Sequence, residues 1–241
     1  MELTNKIKYI QPSVHLLDYT EKPERQVAVG ARNCYSNKTP NELTQDLSET
    51  EVESLVKKIL DLGHYSVLEH TKFTFGIICS RVTSHQIVRK RIGFSYSQKS
   101  ERYVDSSGFR VIVPPSIKNN AGAFKKFNNH MINSKELYKE LRQQEIPKED
   151  ARFLLPRVAT DIVLTANARA LYDYFEVRCC QRTQWEHRAI ANLMLKKVKE
   201  VAPLLFSRAG VPCITDGFCP EGDMSCGRLE RRERLLESVG E

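Results

Sequence analysis

Sixteen residues, RKRIGFSYSQKSERYV, run from Arg89 to Val104 and carry Arg89, Lys90, Arg91, Lys99 and Arg102 against one acid, Glu101. Five hydroxyl side chains lie among them: Ser95, Tyr96, Ser97, Ser100 and Tyr103. Such a set suits an anion pocket, because a guanidinium fork donates two parallel hydrogen bonds to a phosphate and hydroxyls complete the shell. It equally suits a solvated charged loop or a nucleic-acid patch. A single-strand-binding surface interleaves exposed aromatics with its cations; here there are only Phe94, Tyr96 and Tyr103. Spacing leaves these readings open.

Two further constellations could do chemistry. His64-Tyr65-Ser66-Val67-Leu68-Glu69-His70 holds two His and one Glu. Its histidines are six apart, on different faces of a helix, unlike the i, i+4 pair of a zinc motif. A hydrogen-bonding loop that opens a strand is expected instead. Further on, NARALYDYFEVRCCQRTQWEHR places Asn167, Arg169, Asp173, Arg178 and Arg182 in a polar line on a helix, with Leu171, Phe175 and Val177 facing a core. Half-buried Arg needs partners. Either a ligand supplies the negative charge, or Asp173, Glu176 and Glu186 form an ion network with the arginines; both readings stand. Cys179 and Cys180, between helical neighbours, read as small structural residues. Cys213, Cys219 and Cys226 lie in a Gly/Pro-rich tail, lack CxxC-like spacing and would need a fourth ligand for zinc. No metal is expected.

The elements that must position these groups follow from periodicity. A short strand is expected within 11–20 and a helix over 25–36. Thr50-Glu51-Val52-Glu53 has the form of a capping box, with Val52, Leu55, Val56, Ile59 and Leu60 at helical spacing and Gly63 as the stop. From Lys72, Phe73, Phe75 and Ile77 alternate with polar residues, as in a half-buried strand. Helix is expected over 81–92, strand over 110–113 before Pro114-Pro115, a long polar helix over 121–144, and a helix opened by Pro147 to about 155. Residues 159–177 and 185–206 repeat apolar residues at helical spacing, the latter through Ile190, Leu193, Leu195, Val198 and Val201. The reading is a single α+β domain with a central, mostly antiparallel sheet flanked by long helices. It covers residues 1–220, followed by a charged tail, 221–241, that is frayed helix or disorder.

The 241 residues are 41% apolar and 28% charged, a soluble globular composition. A net charge of +7 and a pI near 9.0 favour anionic partners such as nucleotides or phosphorylated cofactors. Seven cysteines without a regular framework read as reduced thiols. No run approaches the roughly 20 apolar residues that span a membrane, and the first residues lack a signal-peptide apolar segment. A cytoplasmic protein with no membrane partner is expected. There is no GxxxxGK[ST] loop, no GxGxxG after a strand and no GxSxG elbow.

Taken together, the blocks resemble flavin-dependent thymidylate synthase, the thymidylate synthase-complementing family. Its pattern Q-x-x-R-H-R…S-Y-S-Q-x-S-x-R-Y is met by Gln86, Arg89 and Arg91, then Ser95-Tyr96-Ser97-Gln98, Ser100, Arg102 and Tyr103. Its H-x-[ST]-x-x-E-H-x-x-F-T-F block is met by His64, Ser66, Glu69, His70, Phe73, Thr74 and Phe75. Asn167, Ala168, Arg169, Arg178, Gln184, Trp185 and Glu186 match N-A-R…L-R…Q-W-E. Glu149, Arg152, Leu155 and Pro156 match E-x-x-R before Leu-Pro, and Ala31, Arg32 and Cys34 match an early A-R-x-[SC]. The blocks fall in family order from 31 to 186. Two features depart from it: Lys90 stands where the family has His, and the spacer is one residue longer around Gly93-Phe94, which Gly93 is suited to absorb as a bulge.

The resemblance implies methylation of dUMP to dTMP, with 5,10-methylenetetrahydrofolate as carbon donor and NADPH-reduced FAD as hydride donor. It implies a homotetramer whose active sites draw on several subunits. By matched position, Gln86, Arg89, Gln98, Ser100, Glu101, Arg102, Arg152 and Arg178 would bind dUMP, with Ser100 and Arg102 on the phosphate and Arg178 facing the uracil. Cys34, Ser66, Glu69, Arg89, Lys90, Arg91, Ile92, Asn167, Arg169 and Asp173 would hold FAD. Arg182 takes the place of a residue near the flavin that is often His. Arg178, Ser100 and His64 are the catalytic candidates, His64 on the folate or redox side. The competing readings are a basic nucleic-acid-binding protein, or a flavin- or nucleotide-binding family member impaired in turnover; the flavin enzyme has no nucleic-acid partner.

Overall fold

Alternation along Lys72–Ser80 buries Phe73, Phe75, Ile77 and Cys79 on one face of a strand in the computed structural model, which describes residues 7–231. In chain order the elements are β1 (Lys8–Tyr9), β2 (Ser13–Tyr19), α1 (Pro23–Asn33), α2 (Pro40–Asp46), α3 (Glu49–Leu62), a 3-10 helix (Tyr65–His70), β3 (Lys72–Ser80), α4 (Arg81–Ile87), β4 (Phe94–Gln98), β5 (Arg110–Val111), α5 (Pro115–Lys118), α6 (Ala121–Gln143), α7 (Lys148–Ala151) and a 3-10 turn (Arg152–Leu154). There follow β6 (Ala159–Asn167), α8 (Ala168–Arg178), α9 (Trp185–Val201), α10 (Pro212–Thr215) and a last 3-10 turn (Gly222–Met224). One sheet has the order β2-β3-β6-β4; β1 and β5 form a separate parallel pair.

The larger sheet is antiparallel around β6. On β3, Arg81 N donates to Val158 O while Thr74 faces Thr165, so partners move in opposite directions. On β4, Lys99 N donates to Asp161 O and Asn167 N to Gly93 O, with the same reversal. A mixed helix-and-sheet fold is thus observed, as the sequence predicts.

Several boundaries differ from expectation, each for a local reason. Residues 159–177 are a strand and then a helix. Thr160, Ile162, Leu164 and Ala166 are buried in alternation, and Asn167 caps α8 by accepting from Ala170 N at 2.8 Å. Leu171 and Phe175 are buried as expected, but Val177 faces solvent. The capping box lies two residues earlier than Thr50: Ser48 Oγ accepts from Glu51 N, and the Glu51 carboxylate accepts from Ser48 N. Gly63, at φ 69°, ends α3 as expected. A 3-10 helix, Tyr65–His70, stands where a loop is expected, and α4 ends at Ile87, short of 92. Pro147 caps α7 rather than lying in its first turn. α9 ends at Val201 and buries Ile190, Ala191, Met194 and Val198, leaving Leu193 exposed. β4 was hidden in the basic stretch.

The chain falls into two compact units. The first comprises the chain up to Val14, Gly76–Arg89 and Tyr96–Leu164. Ile7, Phe109, Val111, Met131 and Val158 form a core there, with Phe127, Ile132 and Leu155 against it. The second comprises His15–Phe75, Lys90–Ser95 and the chain from Thr165 on. Its core centres on Phe206, whose ring meets Phe73 at 5.2 Å, Tyr172 at 5.7 Å and Phe175 at 6.3 Å between centroids. The stretch expected as a charged tail begins inside this unit, where Glu221, Ser225 and Cys226 line a cavity with Cys180. Residues 232–241 lie outside the described residues.

Candidate active site

In the first unit the nucleotide-assigned residues collect after β4. Alternation along this strand leaves Ser95 and Ser97 exposed and Tyr96 and Gln98 half-buried. The Tyr96 hydroxyl donates to Ile87 O at 3.0 Å, and burial pushes its pKa up. In the turn beyond, Arg102 N donates to Ser100 Oγ at 3.2 Å. Glu101 pairs with Arg81 at 2.6 Å, both groups half-buried. Arg102 pairs with Glu149 at 2.6 Å and stands 5.4 Å from the centroid of Tyr103. Arg152 Nε donates to the carbonyl of Glu149 at 2.9 Å. One residue therefore gathers two assigned cations, Arg102 by its side chain and Arg152 by its backbone.

A second acid organises the same unit. Asp161 on β6 draws in Lys99 at 2.5 Å and Arg110 at 2.6 Å. Burial pushes its carboxyl up, and Arg110 and Lys99 outweigh that, holding it below the usual range. Gln86 lies on α4, and Arg89 just past it donates its backbone N–H to Gln86 O at 3.4 Å.

In the second unit the flavin-assigned residues surround the start of α8. Gly93 adopts φ +74°. A Cβ there would lie 2.5 Å from Ala170 Cβ and 2.9 Å from Asn167 Nδ2. Asn167 N donates to Gly93 O at 3.1 Å, so the Lys90–Phe94 turn is clamped onto the helix start. Lys90 reaches Asp173 at 3.5 Å, and Arg169 pairs with Glu69 of the 3-10 helix at 2.7 Å. These exposed pairs stabilise little. Arg91 and Ile92 face solvent, Ile92 at 89% exposure. Cys34, His64 and Ser66 line one cavity of about 510 Å³ with Arg32, Tyr35 and Lys58. His70 instead rests against Gly30, where a Cβ would come within 2.8 Å of its ring.

Arg178 closes α8. Beside it, His187 is fully buried and shares a 2.9 Å hydrogen bond with the Tyr174 hydroxyl. Burial first, and the Arg178 charge second, lower the His187 pKa to about 4. Arg182 lies beyond the end of α8, pairs with Glu221 at 3.2 Å and donates to the Met224 carbonyl. It therefore leaves the helical line expected for it. Cys179 is buried, and burial pushes its thiol up to about 12, which makes it a poor nucleophile. Among the described residues, no three His, Cys, Asp or Glu side chains stand close enough to hold a single metal ion. No helix among them is long and apolar enough to cross a membrane.

Sequence reasoning missed Arg81, Asp161 and the organising part of Glu149. An acid set among alternating apolar residues, as in Thr160-Asp161-Ile162, is the signal that could have found Asp161.

Two sets of cations, each paired with acids within its own unit, thus stand in a mixed helix-and-sheet fold. The chain belongs to the family described as thymidylate synthase complementing protein, whose pattern matches residues 15–204. It is 46% identical over 230 residues to a flavin-dependent thymidylate synthase of Geobacter sulfurreducens, covering 94% of this chain and 98% of that one. It is 41% identical to the enzyme of that name from Clostridium tetani, covering 92% and 96%, and 38% identical to that from Pyrococcus furiosus, covering 95% and 98%. Among solved structures, a UMP/dUMP methylase, PolB, from Streptomyces cacaoi with 5-Br dUMP bound shares the fold. The TM-score is 0.73 at 20% identity, over 85% of this chain and 98% of that one.

Proposed function

We propose that this protein is a flavin-dependent thymidylate synthase, which methylates dUMP to dTMP using methylenetetrahydrofolate and NADPH-reduced FAD. The observation that carries the reading is the division of the assigned residues. Gln86, Gln98, Ser100, Glu101, Arg102 and Arg152 belong to the first unit; Cys34, His64, Ser66, Glu69, Lys90, Arg91, Ile92, Asn167, Arg169 and Asp173 belong to the second. Arg178 is the nucleotide-assigned residue of the second unit, and Arg89 the flavin-assigned residue of the first.

The donor set of the second unit fits a flavin. Lys90, Arg91 and Arg169 suit a diphosphate. Ile92 offers an apolar contact beside them, and the cavity beside His64 is sizeable. Bound flavin supplies the hydride. The chain's own part is binding and charge stabilisation. Ser100 and Arg102, with Arg152 held beside Arg102 by Glu149, hold the nucleotide phosphate. Arg178 faces the uracil and stabilises negative charge developing on the ring as carbon 5 becomes nucleophilic. His64 serves the folate side. Assembly as a homotetramer in the cytoplasm is part of the proposal. Its support is the family resemblance; Ile92 and Tyr35, 89% and 84% exposed, are side chains that such an assembly would be expected to cover.

The test is an anaerobic absorbance experiment. FAD is added, NADPH bleaches it, and dUMP and methylenetetrahydrofolate are then supplied singly and together. The yellow returns only with both if the reading holds. Failure to bind flavin would overturn it. Bleaching without recovery would leave a flavoprotein impaired in turnover, and would point to Lys90, tied to Asp173, as the altered position.

A further inference from the structure

We propose that Cys180, Cys213, Cys219 and Cys226 hold a thiophilic metal centre. The sequence places three of these in the tail and leaves the set one ligand short; the fold supplies the fourth. Cys180 lies in the turn after α8, Cys213 on α10, and Cys219 and Cys226 in the turns beyond. All four line one cavity of about 20 Å³, the room of a single water. None is in a disulfide.

Three observations point to a metal rather than to a chance meeting of thiols. The chain from 214 to 227 lacks a core of its own: Ile214, Phe218 and Met224 are 38%, 54% and 60% exposed. A segment that orders without buried apolar side chains is the setting in which metal binding supplies folding free energy. Second, left-handed glycines flank the ligands. Gly217, at φ 73°, precedes Cys219, and Gly227, at φ 68°, directly follows Cys226. Only glycine takes such turns without strain. Third, Arg182 and Arg228 line the same cavity. Four thiolates around a divalent ion leave about two negative charges, which Arg228 is placed to offset; Arg182 is shared with Glu221, which lines the same cavity and pairs with it at 3.2 Å.

The four thiols line one cavity but are not gathered as a metal site in this structure, since no group of three or more His, Cys, Asp or Glu among the described residues is placed to hold an ion. Metal binding therefore requires the turns that carry them to draw the sulfurs together. A zinc ion would draw the sulfurs in to about 2.3 Å from itself; a four-iron cluster would hold them farther apart. Both use the same four thiolates. Either would brace the 179–184 turn, which follows Arg178 and carries Arg182.

The test is metal content, which does not depend on flavin or nucleotide chemistry. The full chain is produced in medium supplied with zinc and iron, purified without oxygen, and assayed for both metals and for acid-labile sulfide. The proposal expects about one zinc per chain, or about four irons and four sulfides with brown absorbance. Cys219→Ser and Cys226→Ser should each lose the metal, while Cys34→Ser keeps it. Should the variants fail to fold, chelation of the wild-type protein still reads the site, as a fall in its thermal midpoint as the metal leaves. Metal-free wild-type protein would overturn the proposal. So would metal retained by both Cys219→Ser and Cys226→Ser, or a thermal midpoint unmoved when the metal is stripped.

Discussion

Gly93→Ala tests how the flavin-assigned turn is held. At φ +74° an L side chain costs about 1–2 kcal/mol. The new methyl would stand 2.5 Å from Ala170 Cβ, where carbons prefer about 3.5–4.0 Å. Ala170 lies in the first turn of α8 and has no rotamer with which to yield, so an overpacking cost of about 1–3 kcal/mol applies. Reduced freedom of the unfolded chain returns about 0.4–1 kcal/mol. The expected net loss is about 2–4 kcal/mol, read as a lower urea midpoint at unchanged slope. If the turn shifts to relieve the contact, it loses the Asn167 N to Gly93 O bond and carries Lys90, Arg91 and Ile92 with it. FAD affinity then falls instead, read by titration of the apoprotein. Adding Ala170→Gly to the same chain removes the Ala170 contact and leaves the strained φ and the Asn167 approach. Measured against Ala170→Gly alone, to subtract its own helix cost of about 1 kcal/mol, it should recover part of the overpacking loss. A Gly93→Ala protein within about 0.5 kcal/mol of the parent, with unchanged FAD affinity, would refute the clamp.

The remaining predictions concern charge and burial. Arg178→Ala should lower kcat about 100- to 1000-fold while FAD stays bound; intact turnover would remove Arg178 from the uracil. Ser100→Ala with Arg102→Ala should weaken dUMP binding at least roughly tenfold, since one charged hydrogen bond contributes about 1.5–3 kcal/mol; calorimetry with unchanged affinity would sink the phosphate assignment. His187 is held neutral, with its pKa lowered from 6.5 to about 4. Below pH 6.5 the unfolded chain takes up a proton that the folded chain refuses. Its contribution is full above that pH and is lost as pH falls towards 4, about 3 kcal/mol across the window. His187→Gln should flatten the fall in denaturant midpoint between pH 7 and 4.5; parallel curves would place the effect elsewhere. Tyr172→Phe should cost about 1–3 kcal/mol by leaving the Leu205 carbonyl, now accepting at 2.6 Å, without its buried donor.

What could be read ahead of the structure follows from how far each signal reaches along the chain. β3 was legible because its alternation is unbroken from Phe73 to Ile77. β6 was not: Ile162, Leu164 and Ala166 continue into Ala168, Leu171 and Phe175, and the run satisfies helical spacing until Asn167 is recognised as a cap. The site divides in the same way. The cations of the basic stretch were visible as a local excess of charge, but the acids that order them were not. Glu149 and Asp161 meet Arg102 and Lys99 only after the chain has made α6 and returned along β6. Cys180 and Cys226 likewise reach one cavity across the whole of α9.

That distance also bears on the two readings of the basic stretch. Lys99 and Arg102 have carboxylate partners at 2.5 and 2.6 Å, and Lys90 has one at 3.5 Å. A nucleic-acid patch would set its cations along one exposed line to neutralise successive phosphates. Here the stretch changes unit between Arg89 and Lys90 and again between Ser95 and Tyr96. Its cations fall into two acid-ordered sets, one in each unit. Two anions, each met by its own set, suit that arrangement better than one polyanion, and Gly93, beside the longer spacer, lies within the second unit's share of the stretch.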